Sequence, residues 1–208
     1  YVLGRTITEG LKRGTKHNDP QTRFSFDMLG EGARTEADAA QYLKAYGDAI
    51  DEIGKTSNRE TNVYSANGIS VKLSAIHPRY YFSQHQAVMS ELLPRIKQLC
   101  LQAKKYNIGL SIDAEEAYRL DISLDIFEAL AKDNELGDWQ GLGFVLQAYQ
   151  KRAPDTAKWL IGLAKDTDRR IMVRLVKGAY WDAEIKHAQE LGLASYPVFT
   201  RKANTDLC

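Results

Sequence analysis

Five short apolar runs, each interrupted by one polar residue near its C-terminal end, constrain this chain more than any other feature. They read Phe26-Asp27-Met28, Val71-Lys72-Leu73, Ile112-Asp113-Ala114, Leu146-Gln147-Ala148 and Val173-Arg174-Leu175. They lie within the strand candidates Phe24–Leu29, Ile69–Ala75, Gly109–Ala114, Leu142–Ala148 and Ile171–Val176. Each is followed by apolar residues at helical spacing, such as Tyr42, Leu43, Tyr46, Ile50 and Ile53 after the first and Leu120, Leu124, Phe127 and Leu130 after the third. Strand-then-helix units without hairpin signals mean parallel strands joined by helical crossovers. An open doubly wound sheet and part of a (βα)8 barrel both satisfy that pattern.

The polar residues separate the two. Strand period is two, so their apolar neighbours face the helices and they face the other way. In an open sheet that face meets more helices, where an isolated Lys72 or Arg174 would be very unfavourable. In a barrel all five converge on the mouth at the C-terminal end, where two cations (Lys72, Arg174) balance two anions (Asp27, Asp113). The predicted fold class is therefore α/β, a (βα)8 TIM-like barrel of which this chain holds about the first five units. Active sites of barrel enzymes sit at that end, although the same charges could serve only as structural ion pairs.

Local signals add detail. Thr35 with Asp38 three residues on predicts a helix start. Pro94 predicts a kink or two short helices, and Pro154 fits a first helical turn. Residues 1–23 carry Val2, Leu3, Ile7 and Leu11 at loosely helical spacing and then the polar His17-Asn18-Asp19-Pro20, so they predict an N-terminal helical arm and linker before a barrel at 24–208.

The 208 residues hold 28 basic and 27 acidic side chains, net +1, a balance that gives no reason to expect nucleic acid or an anionic membrane as partner. Cys100 and Cys208 cannot form a disulfide framework; Cys100 reads as a small buried hydrophobe, which fits a reducing, cytoplasmic setting. No apolar run approaches the roughly 18 residues of a membrane span. The chain opens at Tyr1 and stops at Cys208 without a terminating signal, so it is expected to be excised from something longer.

After the fifth strand comes Val176-Lys177-Gly178-Ala179-Tyr180-Trp181. A Lys-Gly turn entering a helix lets backbone N–H groups approach a phosphate, aided by the helix dipole. Tyr180 and Trp181 are candidates to stack on a flat cofactor or, more commonly for a first helical turn, to join the core. Gly141-Leu142-Gly143 precedes a strand and is no dinucleotide fingerprint. His17, His77, His85 and His187 show no ligand spacing, and no metal site is expected. Glu115-Glu116 suggests paired carboxylates for glycoside chemistry, but adjacent residues point to opposite sides of an extended chain, one toward the site and one into solvent.

With these residues in view, the chain resembles the proline dehydrogenase domain of the bifunctional bacterial proline-utilisation flavoproteins. The matching stretches are Phe24-Ser25-Phe26-Asp27-Met28-Leu29-Gly30-Glu31, Val71-Lys72-Leu73-Ser74-Ala75-Ile76-His77-Pro78-Arg79-Tyr80, Ile112-Asp113-Ala114-Glu115-Glu116, Gln147-Ala148-Tyr149-Gln150-Lys151-Arg152 and Val173-Arg174-Leu175-Val176-Lys177-Gly178-Ala179-Tyr180-Trp181-Asp182. The resemblance implies a distorted barrel holding FAD at its C-terminal face and oxidising L-proline, with electrons passing to a membrane quinone. It implies catalytic roles for Lys72, Asp113 and Arg174, the first at the substrate carboxylate and the last beside the flavin N5. It places Gln147 at the pyrimidine edge, Val176, Lys177 and Gly178 along the ribityl and diphosphate, Tyr180 and Trp181 against the cofactor, and Glu31 in a gate. It also implies three further strands, a final helix bearing an arginine pair, peripheral contact with the inner membrane in the parent, and an aldehyde dehydrogenase domain downstream. Two other readings stand beside it: a carboxylate-based barrel hydrolase, and an inactive barrel fragment that only binds or scaffolds and self-associates through open strand edges.

Overall fold

A computed structural model of the chain describes residues 2–16, 22–28, 32–57 and 62–208. The order is α1 (Ile7–Lys16), β1 (Ser25–Asp27), α2 (Glu36–Lys55), β2 (Gly68–Val71), α3 (His85–Tyr106), β3 (Leu110–Ile112), α4 (Leu120–Ala131), β4 (Leu142–Gln147), α5 (Ala153–Asp166), β5 (Met172–Val176), α6 (Trp181–Glu190) and α7 (Lys202–Leu207). The strands form one parallel sheet ordered β1-β2-β3-β4-β5. The order never reverses, so every crossover advances the same way round. That is the winding of a barrel, whereas a doubly wound sheet turns back at a switch point.

Period-two alternation divides the sheet. Ile69, Val71, Leu110, Ile112 and Phe144 are buried in one cluster with the apolar stripes of the helices, Tyr46, Ile50 and Ile53 of α2, Val88, Leu92, Ile96 and Leu99 of α3, and Ile126, Phe127 and Leu130 of α4. Phe127 meets Phe144 edge-on at 5.1 Å. The residues between face the other way and stack in levels. The register aligns Asp27, Ser70, Ser111, Gly143 and Met172. Two residues further along each strand lie Lys72, Asp113, Val145 and Arg174, and two further again Ser74, Glu115, Gln147 and Val176.

The helix starts follow their local chemistry. Thr35 caps α2 in a full capping box with Asp38, and Pro154 sits in the first turn of α5. Pro94 does not divide α3, which is assigned as one helix from His85 to Tyr106. The second strand candidate is shortened: Leu73–Ala75 is a 3-10 turn. The Ser74 N–H is drawn to the Glu115 carboxylate at 3.0 Å and the Ala75 N–H to the Lys72 carbonyl, which turns the chain out of the sheet. The N-terminal α1 joins the barrel core through Leu11, with Leu3 and Ile7 against it.

β5 departs from the apolar-against-helix expectation. Val173 and Leu175 are 48% and 63% exposed. Rather than running along β5, α6 lies over the strand ends, where the Glu184 carboxylate accepts the Ala117 N–H at 2.5 Å and His187 packs on Tyr118. Among the described residues, no helix is long and apolar enough to cross a membrane.

Candidate active site

Four of the five strand polar residues meet at the C-terminal ends of the strands. The Lys72 ammonium lies 3.1 Å from Asp27 Oδ1 and 3.5 Å from Asp113 Oδ2. Arg174 bonds Asp113 Oδ1 through its terminal nitrogen, and Ser70 donates its hydroxyl to the same oxygen at 2.7 Å. Asp113 is buried while Arg174 remains 37% exposed at its side chain. Burial works against the Lys72 charge, but the carboxylates of Asp113 and Asp27 outweigh it and hold the lysine above its ordinary value. The Lys72 backbone N–H is anchored by the buried Tyr46 hydroxyl at 3.2 Å.

Gln147 stands one level above this cluster. Its Nε2 donates to the Glu115 carbonyl at 2.9 Å and its Oε1 accepts the Ala179 N–H at 2.9 Å, which ties the β3–α4 loop to the β5–α6 loop. One amide hydrogen and one lone pair are left over. At the same level, Glu115 is buried and accepts from the Ser74 N–H and from Arg119 at 2.6 Å. Burial raises the Glu115 carboxyl above its ordinary value, against the lowering pull of Arg119 and Ser74. Glu116 is not released into solvent: its Oε2 lies 3.4 Å from Arg119 Nε. The Arg119 guanidinium lies 5.3–5.6 Å from the rings of Tyr80, Tyr81 and Tyr118, a cation–π enclosure around the buried carboxylate.

Along the β5–α6 turn, Lys177 pairs with Asp206 at 2.5 Å, and Gly178 takes φ +148°. Tyr180 donates its N–H to the Tyr149 hydroxyl, and Trp181 is 43% exposed, outside the core, with its indole N–H on the Phe199 carbonyl. The predicted gate residue, Glu31, lies outside the described residues, as does His17.

Arg174 Nε is buried without a hydrogen-bond partner. A guanidinium N–H left orphaned beside a polar cluster is a donor awaiting an acceptor. Elsewhere, Glu36, His77 and Glu91 place one potential ligand atom each within 4.8 Å of one another. His77 Nδ1 accepts the Arg79 N–H, so Nε2 carries the proton toward Glu91 and is not free to ligate; Glu36 is paired with Arg95.

A parallel α/β sector wound as a barrel, with a cation–carboxylate cluster at its C-terminal mouth, defines the class of a barrel protein. The family model for proline dehydrogenase matches residues 10–208, and the chain belongs to that family. It is 55% identical over 207 residues to the bifunctional protein PutA of Klebsiella aerogenes and 54% to that of Escherichia coli K12, covering 100% of this chain and 16% of each relative. A crystal structure of Bradyrhizobium japonicum Proline Utilization A superposes with a TM-score of 0.89 at 52% identity, over 100% of this chain and 21% of that one. The chain thus spans about a sixth of the length of these two curated relatives.

The sequence pattern placed Asp27, Lys72, Asp113 and Arg174 at one mouth, and they meet there. It passed over Ser70, Arg119, Glu184 and Tyr149. A serine in an apolar strand, facing the same side as the strand's charged residue, was the available signal for Ser70.

Proposed function

We propose that this chain carries the FAD- and carboxylate-binding side of a site that oxidises L-proline to Δ1-pyrroline-5-carboxylate. The observation that carries the reading is Arg174, oriented by Asp113 and left with a buried Nε–H unmatched. FAD, when bound, would supply the hydride acceptor for proline oxidation and the route for electrons to a quinone. Arg174 would supply a fixed positive charge beside the flavin, so that negative charge developing there would meet a cation already in place. Lys72 stays cationic between Asp27 and Asp113 and holds the substrate carboxylate, which fixes the ring carbon that reacts. Asp113 keeps both cations in place. Val176, Lys177 and Gly178 would hold the ribityl and diphosphate, with Tyr180 and Trp181 against the cofactor. Gln147 offers the pyrimidine edge its remaining hydrogen and lone pair, and Glu31 belongs to the gate.

In this reading residues 1–23 are an arm to a barrel at 24–208, and the protein works in the cytoplasm, with peripheral contact to the inner membrane through a longer parent. A second reading, a fragment that self-associates, is favoured by the open edges at β1 and β5 and the bare Val173 and Leu175. An absorbance spectrum of the purified protein, before and after anaerobic addition of L-proline, separates the two. Flavin bands that bleach with proline support the enzyme; absence of flavin bands, together with a dimer or larger species by light scattering, supports the fragment.

A further inference from the structure

We infer that Tyr149 is a positioning residue for the β5–α6 loop, holding Lys177 to Tyr180 in the shape that receives FAD. The inference rests on the flavin reading above. Tyr149 belongs to the turn after β4 and is 4% exposed. Three of its groups engage neighbouring chain: its N–H donates to the Lys177 carbonyl at 2.8 Å, its carbonyl accepts the Phe199 N–H at 2.8 Å, and its hydroxyl accepts the Tyr180 N–H at 3.3 Å.

The ring supplies the fourth contact. A Cβ built on Gly178 would lie 2.4 Å from the Tyr149 ring carbons, and Gly178 sits at φ +148°, a conformation essentially reserved for glycine. Space beside the Gly178 Cα is therefore filled by a tyrosine of the same chain. This gives the glycine a different cause from close approach of a phosphate. The loop passes over the ring, its entry fixed by Lys177 and its exit by Tyr180, and Gln147 takes the Ala179 N–H between them. Two N–H groups at the start of α6 are thus satisfied within the protein. Whatever the loop presents to a diphosphate is set by where the Tyr149 ring stands.

Two variants test this, Tyr149→Phe and Tyr149→Ala, read first by amide hydrogen exchange on the protein without added flavin. Losing one hydrogen bond speeds exchange of the Tyr180 N–H about threefold to tenfold in Tyr149→Phe, while Ala179 stays protected through Gln147. Tyr149→Ala speeds both, with the amides of α2 and α3 unchanged, and weakens FAD binding, titrated by quenching of flavin fluorescence, by about tenfold, the scale of one well-made contact. Wild-type exchange at Tyr180 in both variants overturns the inference, as does faster exchange with unaltered FAD affinity. Should Tyr149→Ala not fold, Tyr149→Phe, which keeps the ring, decides alone. A wild-type protein that binds no FAD defeats the flavin reading, and the exchange data then judge the templating of the loop by themselves.

Discussion

Replacing Asp113 with Asn keeps the shape of the side chain and removes the charge on which the cluster depends. The Asn carbonyl still accepts the Ser70 hydroxyl, but its amide now faces a cation with another donor. Lys72 retains Asp27 at 3.1 Å, whereas Asp113 is the carboxylate that pairs with Arg174. At the 3.5 Å separation of Lys72 and Asp113, unit charges in an effective dielectric of about 20 attract by about 5 kcal/mol before desolvation is subtracted. Breaking a fully buried pair costs about 3–5 kcal/mol. Arg174 is over a third exposed and Lys72 has its second partner, so the expected loss for Asp113→Asn is about 2–3 kcal/mol.

Urea denaturation reads that loss as a lower midpoint at unchanged slope. The pH dependence gives an independent check. Lys72 is raised above 10.5 in the fold, chiefly by Asp113 and Asp27 against the opposing effect of burial. Its contribution is fully present below the unfolded value and disappears as pH rises through the folded one. The difference between wild type and Asp113→Asn should therefore be constant at neutral pH and shrink above about pH 10.5. An unfolding free energy within about 0.5 kcal/mol of wild type at pH 7 would refute the cluster as a cooperative unit.

Arg119→Met leaves the Glu115 carboxylate buried without its cation and should cost about 3–5 kcal/mol at pH 7 in the same urea assay. Because the Glu115 carboxyl is already raised in the fold, ionising it opposes folding; the deficit should narrow as pH falls from neutral toward the unfolded value near 4.5, and a pH-independent deficit would contradict that burial. Tyr46→Phe removes the acceptor of the Lys72 N–H and should cost about 1–2 kcal/mol, with faster exchange of that amide by NMR as the specific readout. Thr35→Ala dissolves the α2 capping box and should lower stability by about 1 kcal/mol with no change in proline-dependent flavin bleaching.

The barrel was legible because burial makes certain residues expensive. A lysine and an arginine inside apolar strands have few tolerable surroundings, and a closed mouth lined with carboxylates is one. The helices were legible for the same reason in reverse, since Leu92, Ile96 and Leu99 repeat where α3 meets the sheet. Boundaries were harder. The extension of β2 through Ala75 failed because a carboxylate 41 residues away captures the Ser74 N–H, and no local propensity encodes so distant a partner. Of the kink or two short helices that Pro94 predicts, the division into two does not occur: α3 runs through it, and packing of the buried Leu92 and Ile96 on either side outweighs the lost hydrogen bond.

The site was legible in composition and less so in height. Each strand presents the same apolar-polar-apolar triplet, which says which face the polar residue takes and nothing about how far along the barrel axis it sits. Register decides that. It leaves Asp27 one level below Lys72, Asp113 and Arg174, and lifts Gln147 one level above them, next to the loops instead of the charges. The same offset brings in residues no triplet marked. Ser70 stands at the Asp27 level and so can reach up to Asp113, and Glu115 stands at the Gln147 level and so can anchor both Ser74 and Arg119. Levels two residues apart therefore carry different work: the lower ones set charge and orientation at the strand ends, and the uppermost fixes the loops above them.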